Sequence, residues 1–234
     1  MKARRKVHVW INLAIVLCIA LAYWVTNEPL VHQTLGQVSD NPYYHASGNR
    51  VCFLTRYDDD GASLLQFCQT ATEQNIKLTI AVTAAWAQEN KDIVQRIQSS
   101  GHAWALYGQT TTESASDTAW TASMSKQKQQ FEQIIGTKIH IYMPLDGEYT
   151  QRDVQFCKDN SLLLSLYSFD SRAIVAQDAQ SFAQQLGQRI KAGDFIYLPV
   201  NEISRQSLSQ LSIACTEKQV VSCTVEEALI ETAS

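Results

Sequence analysis

Motifs of several common enzyme and binding-protein classes are absent from this 234-residue chain. It has no Gly-x-Ser-x-Gly motif that would present a nucleophilic serine, and no glycine-rich phosphate-binding loop. These absences argue against a serine hydrolase and against nucleotide binding. No Cys-x-x-Cys pair occurs and no cysteine stands at zinc-finger spacing from a histidine, so a structural zinc site is not expected. The chain also contains no low-complexity segment and no sequence repeat.

Positive charge is scarce and is concentrated at the amino terminus. The chain has 19 Lys and Arg against 23 Asp and Glu, and four of the basic residues lie within residues 2–6. The remainder has 15 basic residues against 23 acidic ones, a net charge of −8. This balance argues against nucleic acid as a partner and against adsorption of this part to anionic lipid.

The segment after the basic residues predicts a membrane anchor. Residues 7–26 contain no charged side chain. Twenty residues at about 1.5 Å each would cross a hydrocarbon core of about 30 Å. The basic flank is expected to stay in the cytoplasm, which makes the protein single-pass in the cell membrane with its domain extracytoplasmic. A cleaved signal peptide is the alternative, because Ala20-Leu21-Ala22 has the small-x-small pattern of a cleavage site.

The rest of the chain divides into a tether and one domain. Residues 27–50 are polar and turn-rich, which predicts an extracytoplasmic tether, and residues 51–234 form the domain. In the domain, apolar runs alternate with amphipathic helical stretches, which predicts an α/β fold with a parallel sheet or barrel and helices outside. Strands are expected at residues 51–55, 77–82, 102–107, 139–142, 162–167, 195–198 and 220–221.

Five cysteines lie in the outer part, and an odd number leaves at least one thiol outside any intramolecular disulfide. Cys215 and Cys223 flank a predicted turn and are the candidates for a local disulfide. The alternative is that all five are buried apolar side chains that form no disulfide.

Motifs spread over residues 50–230 resemble those of the polysaccharide deacetylase family, also known as the NodB homology family or carbohydrate esterase family 4. Residues 57–61 (Tyr-Asp-Asp-Asp-Gly) resemble its Thr-Phe-Asp-Asp-Gly motif, and residues 101–102 (Gly-His) end a helix as in the family. Residues 142–147 resemble Phe-Arg-Pro-Pro-Tyr-Gly, and residues 193–200 resemble a strand that ends in Leu-Leu-His-Asp. The resemblance implies a distorted (β/α) barrel of about seven strands.

The resemblance also implies which residues stand at the catalytic positions. In the family, one Asp and two His bind a divalent metal that activates water, while a second Asp is the general base and another His is the acid. Asp59 takes the base position and Asp60 the metal-ligand position. Tyr107 and Thr111 replace the two metal-binding histidines, which leaves this a divergent member without the His pair.

Two further replacements follow from the same comparison. Met143 stands for the arginine that tunes the base, and Pro199 stands for the acid histidine. The substrate groove would then be lined by Tyr107, Met143, Asp146 and Pro199. A lone aspartate pair does not bind zinc tightly, so no cofactor is expected unless unidentified ligands complete the site. The Asp58–Asp60 run is either a weak cation site or a solvated loop.

The resulting expectation is a membrane-anchored, extracytoplasmic deacetylase-like protein that is catalytically degenerate. It would bind glycan or a protein partner at the cell envelope. Two alternatives remain open: an active, metal-dependent glycan N- or O-deacetylase with a rearranged site, and a structural docking subunit of an envelope complex. Trp86 and Trp104 are candidates for stacking on sugar rings, with core packing as the alternative.

Overall fold

A computed structural model describes residues 41–108 and 116–230, except for the side chains of Asp146 and Ile230. The predicted membrane segment at residues 7–26, most of the predicted tether and Thr111 therefore lie outside the described residues. Among the helices that are described, none is long and apolar enough to cross a membrane.

Strands and helices alternate along the described chain. The strands are β1 (Arg50–Arg56), β2 (Leu78–Val82), β3 (Ala103–Tyr107), β4 (Ile141–Met143), β5 (Leu163–Leu164), β6 (Phe169–Asp170), β7 (Phe195–Tyr197) and β8 (Val221–Cys223). The α-helices are α1 (Gly61–Glu73), α2 (Ala84–Glu89), α3 (Lys91–Gln98), α4 (Asp117–Ile135), α5 (Gln151–Asp159), α6 (Ala179–Arg189), α7 (Glu202–Glu217) and α8 (Val225–Ile230). Two 3-10 turns occupy Leu145–Gly147 and Ser171–Ala173.

The strands form one curled parallel sheet in the order β5-β4-β3-β2-β1-β7-β6, with β8 also paired to β1. Strand β1 is central: β8 pairs with its first three residues, β2 pairs with the remainder, and β7 lies on its other side. The predicted parallel α/β fold is confirmed. The sheet is a curled half-barrel, because the described strands β5 and β6 are its two ends and do not pair with each other.

Alternation of side chains gives the sheet two different faces. On the outer face, Phe53 of β1, Ile80 of β2 and Leu106 of β3 belong to one buried cluster with helix residues such as Leu64 and Phe131. The intervening residues face the inside of the curl. At the carboxyl ends of the strands, this inner set ends with Arg56, Tyr107, Met143 and Tyr197. The polar side chains of Arg56, Tyr107 and Tyr197 therefore lie on the inner face of the sheet at the carboxyl ends of its strands.

The structure differs from the sequence prediction in three segments. The predicted strand at residues 162–167 is only two residues long, and a second short strand, β6, follows it. Helix α2 was not predicted; it is capped by Thr83, whose hydroxyl accepts a hydrogen bond from the backbone of Trp86. The end of the predicted tether belongs to the domain, since Tyr43 N donates to Leu164 O at 2.8 Å.

The cysteine arrangement also corrects the predicted pairing. Cys215 and Cys223 are free, as are the other cysteines of the described chain, and all are buried. Cys223 instead lies beside Cys52, directly across from it in the pairing of β8 with β1, with 3.6 Å between the two sulfurs. The sequence left open a local disulfide and five buried thiols without one; the sheet brings together two cysteines that are 171 residues apart.

Candidate functional site

The aspartate loop after β1 is organised by the start of helix α1. Asp60 is the N-cap of this helix, and its carboxylate accepts hydrogen bonds from the backbone N–H groups of Ala62 (2.9 Å) and Ser63 (3.2 Å). Hydrogen bonds from the Ser63 side chain and from these N–H groups lower the pKa of Asp60 below its ordinary value. Its carboxylate is therefore engaged in capping the helix.

Trp86 holds the same loop in place through one hydrogen bond and one ring contact. Its indole Nε1 donates to the backbone oxygen of Asp59 at 2.6 Å, and its ring forms a T-shaped contact with Tyr57, with 6.2 Å between centroids. Only 5% of Trp86 is exposed, and 6% of Trp104, whose ring packs against Phe131. Both tryptophans are core residues, so of the two alternatives the structure supports core packing and not stacking on a sugar ring.

Tyr107 stands where the resemblance places the first metal-binding histidine, and it contacts an arginine. The Nη1 atom of Arg56, at the end of β1, donates to the Tyr107 hydroxyl at 3.3 Å. The same guanidinium lies 5.5 Å from the centroid of the Tyr107 ring and 5.3 Å from that of Tyr197. Burial acts to lower the pKa of Arg56, but the neighbouring phenols of Tyr107, Tyr197 and Tyr167 outweigh it and raise the pKa.

A second arginine covers Tyr197 from the β6 side. The Arg172 guanidinium carbon lies 4.6 Å from the Tyr197 ring centroid, and Nη2 lies 3.4 Å from the Tyr167 hydroxyl. Arg172 also holds Asp170, with Nε 3.0 Å and Nη2 2.6 Å from the carboxylate oxygen Oδ2. Burial acts to raise the pKa of Asp170, but the hydrogen bonds from Arg172 outweigh this and lower it.

These contacts define an Arg–Tyr cluster at the carboxyl end of the sheet. Its members are Arg56, Tyr107, Tyr167, Arg172 and Tyr197. The Tyr167 and Tyr197 rings lie 5.3 Å apart, and the side chain of Arg172 is 47% exposed. The cluster combines two guanidinium groups with three phenol rings at the part of the fold where strand ends converge.

The other predicted groove residues lie around this cluster in different ways. Met143 pairs with Tyr107 in the sheet but is buried, with 2% of its surface exposed. Pro199 is half-buried and follows β7. The backbone at Asp146 belongs to a 3-10 turn, and the next residue, Gly147, approaches Tyr167 so closely that a Cβ atom there would lie 2.4 Å from the phenol oxygen. Gly147 also has a φ of 76°, a second reason for glycine at this position.

The histidine that the family motif retains has a structural role. His102 accepts a hydrogen bond at Nδ1 from the backbone N–H of Leu78 (3.2 Å), so its Nε2 carries the proton and donates to the carbonyl oxygen of Cys68 (3.0 Å). Burial lowers the pKa of His102. The ring is a neutral connector between β2 and α1.

The described residues do not fit the metal that the resemblance implies. Within residues 41–108 and 116–230, no three His, Cys, Asp or Glu side chains are grouped so that they could bind a metal ion. Asp60 caps a helix, and the Tyr107 phenol contacts a guanidinium. A permanent positive charge beside Tyr107 opposes binding of a divalent cation there. Thr111 lies outside the described residues.

The sequence prediction missed four of the five cluster members: the two arginines, Tyr167 and Tyr197. Arg56 carried a signal, because it is a charged residue that follows five uncharged strand residues, Val51 to Thr55. Its convergence with Tyr197 had no local signal, because β7 lies beside β1 only through the order of strands in the sheet.

Comparisons with known proteins agree with this fold. A family model described as polysaccharide deacetylase matches residues 46–162, half of the chain. Among curated proteins, none matches.

Several solved structures have the same fold at low sequence identity. A family 4 carbohydrate esterase pseudoenzyme from Bacillus anthracis is 14% identical, with a TM-score of 0.73 over 82% of this chain and 69% of that one. A peptidoglycan N-acetylglucosamine deacetylase is also 14% identical, with a TM-score of 0.70 over 80% of this chain and 92% of that one. A family 4 carbohydrate esterase from Streptomyces lividans gives 14% identity and a TM-score of 0.67, covering 77% of this chain and 94% of that one.

Proposed function

Because the chain belongs to the polysaccharide deacetylase family, we propose that it is a member without deacetylase activity that binds glycan at the carboxyl end of its sheet. The observation that carries this proposal is the contact between Arg56 and Tyr107 at the position of a metal-binding histidine. A guanidinium and a phenol cannot activate water as a bound metal does, but both are common ligands for sugar hydroxyl and acidic groups.

Three further features support binding without hydrolysis. The Asp60 carboxylate is engaged by two backbone N–H groups, so metal binding would compete with the cap of α1. The half-buried rings of Tyr107 and Tyr167 provide flat apolar faces with polar edges, which suits the alternating faces of a sugar ring. One of the structural neighbours is itself described as a pseudoenzyme.

The proposal retains the location expected from the sequence. Residues 7–26 would anchor the protein in the cell membrane, and the domain would face the envelope glycan outside. It needs neither a zinc cofactor nor a nucleic-acid partner.

The test uses the purified full chain in mild detergent. Elemental analysis and zinc titration calorimetry would measure metal binding, and acetate release from N-acetylglucosamine oligosaccharides and peptidoglycan fragments would measure activity with and without added zinc. We expect no acetate above the background of the heat-treated protein. Zinc-dependent release that is lost in the Asp59→Asn/Asp60→Asn double variant would overturn the proposal and show a rearranged active site; Asn at residue 60 preserves the helix cap.

Binding is measured separately by sedimentation with insoluble envelope glycan. We expect the wild-type chain to sediment with the glycan and the Tyr107→Ala variant to bind several-fold more weakly. Ile213→Ala is the matched control, because Ile213 is an exposed side chain (56%) of α7 outside the cluster. Absence of glycan binding by the wild type, together with a stable co-purifying protein, would support a docking subunit instead.

A further inference from the structure

The Arg–Tyr cluster has a charge that differs from that of the chain as a whole. The chain carries a net charge of −4, yet the cluster contributes two guanidinium groups, and the carboxylate of Asp170 balances only one of them. The cluster and Asp170 together therefore carry one net positive charge, although the carboxylates of Asp58, Asp59 and Asp60 follow β1 at the same end of the sheet. Local charge of this kind attracts an anionic group to a chain that otherwise repels it.

The geometry of Arg172 shows what the cluster can bind. Its guanidinium already holds a carboxylate through both Nε and Nη2, at 3.0 and 2.6 Å from Oδ2 of Asp170, while its flat face lies on Tyr197. A guanidinium stacked on an aromatic ring has its orientation fixed, so less freedom is lost when it binds a planar carboxylate.

Arg56 has a related environment. It is half-buried, its flat group lies 5.3 Å from the same Tyr197 ring, and it donates to the Tyr107 hydroxyl. The two guanidinium groups thus share one ring, and the half-buried Tyr107 and Tyr167 flank them. Partial burial reduces the screening of a charge by water, which strengthens its attraction for an anion.

We propose that the Arg–Tyr cluster recognises the carboxylate of an acidic sugar, with the half-buried rings of Tyr107 and Tyr167 contacting the sugar ring that carries it, while the buried Tyr197 orients the two arginines. This inference rests on the proposed glycan-binding function and names the chemical class of the glycan. The carboxylate binds the guanidinium groups of Arg56 and Arg172, sharing Arg172 with Asp170, and the phenol hydroxyls of Tyr107 and Tyr167 provide hydrogen bonds to neighbouring sugar oxygens.

The test compares three oligosaccharides of equal length in titration calorimetry with the full chain. The first alternates glucuronic acid with N-acetylglucosamine, the second is the same molecule with its carboxyl groups reduced to alcohols, and the third contains N-acetylglucosamine alone. A hydrogen bond to a charged group corresponds to about tenfold or more in affinity, so we expect the acidic oligosaccharide to bind at least about tenfold more tightly than the other two. Raising the salt from about 0.1 to about 1 M, which shortens the screening length from about 10 to about 3 Å, should reduce this difference.

Variants assign the effect to the cluster. Arg56→Lys keeps the charge but not the planar fork, and we expect it to lose most of the preference for the acidic oligosaccharide. Arg172→Gln/Asp170→Asn removes the second fork without leaving an unpaired carboxylate, and it should weaken binding about tenfold. Arg96→Lys is the control for Arg56→Lys, because Arg96 is exposed in the last turn of α3. Arg205→Gln/Glu202→Gln is the control for the double variant, because it removes an ion pair of α7 outside the cluster with the same zero change in net charge. Circular dichroism and thermal unfolding establish that each variant is folded.

The outcomes separate this inference from the proposed function. Equal affinity for the acidic and reduced oligosaccharides, or unchanged preference in both cluster variants, would overturn the acidic-sugar assignment. If the neutral oligosaccharides bind and Tyr107→Ala weakens that binding, the proposed glycan-binding function is retained although the acidic-sugar assignment fails. If none of the three binds, both fail. A last experiment compares inorganic phosphate and free glucuronate as competitors of the acidic oligosaccharide at constant ionic strength. If phosphate competes as strongly as glucuronate, the cluster is a general anion site and the acidic-sugar assignment is overturned.

Discussion

Replacing Tyr142 by phenylalanine removes one buried oxygen from the contact between β4 and α5. Tyr142 is 1% exposed, and its hydroxyl donates to Oδ1 of Asp153 at 2.5 Å. The other carboxylate oxygen accepts from the backbone N–H and the hydroxyl of Thr150, at 2.8 and 2.7 Å. Asp153 itself is 8% exposed, so water cannot easily replace the lost donor. The Tyr142 ring still packs against Phe156, with 5.5 Å between centroids, and this apolar contact survives the substitution.

The expected cost follows from the charge of the acceptor. A hydrogen bond to a charged group contributes about 1.5–3 kcal/mol, so Tyr142→Phe should reduce the free energy of unfolding by about 2 kcal/mol. Urea unfolding of the full chain, followed by tryptophan fluorescence, measures the change at constant m value. Tyr149→Phe is the control, because Tyr149 is an exposed tyrosine, with 39% of its surface accessible. The reasoning is refuted if Tyr142→Phe costs no more than this control.

Three further predictions concern other buried groups. Oxidation should join Cys52 to Cys223, and non-reducing peptide mapping would identify the linked peptides. The free energy of unfolding should fall as the pH drops below 6.5, the ordinary pKa of histidine, because burial lowers the pKa of His102 and the unfolded chain therefore binds the proton more readily. Urea unfolding from pH 8 to 5 would measure this loss, and His102→Asn should make it smaller. Gly108→Ala should destabilise the domain, since a Cβ atom would lie 2.5 Å from the Tyr142 hydroxyl, and thermal unfolding would detect it.

Each of these has a contradicting outcome. Oxidation that links Cys215 to Cys223 would restore the pairing expected from the sequence. A slope of stability against pH that is identical in wild type and His102→Asn would show that His102 contributes nothing to it. An unchanged melting temperature in Gly108→Ala would mean that the Tyr142 side chain can move away without cost.

Much of the fold was predictable because its strands are local apolar runs. The first strand was expected at residues 51–55 and occupies Arg50–Arg56, and the second was expected at residues 77–82 and occupies Leu78–Val82. Both are buried on two faces, so their continuous hydrophobicity is unambiguous. The apolar run at residues 162–167 was read as one strand, but the last hydrogen bond to β4 is from Ser165 N to Tyr142 O. Beyond it, Leu166 N donates to Tyr43 O and Ser168 N donates to Phe195 O. That interruption depends on tertiary neighbours that a local pattern does not contain.

The candidate site was predictable only in part. The resemblance located the catalytic positions and therefore the replacement at Tyr107. It did not show that Asp60 caps α1, although aspartate is a common N-cap residue directly before a helix. It also did not show that Arg172 and Arg56 contact the same ring, that of Tyr197. These two arginines are 116 residues apart and meet because β6 and β7 fold back beside β1.

The central position of β1 has a consequence for how the domain folds. Its partners are β2, β7 and β8, and the pair Cys52–Cys223 joins positions 171 residues apart in the chain. Contacts of such long sequence separation slow the search for the native state. During synthesis, β1 emerges among the first structured segments but cannot complete its pairing until β8 is made. Until then the first three residues of β1 lack their partner strand, and their backbone groups stay exposed. Pairing of β8 with β1 is therefore a late step in the folding of the domain.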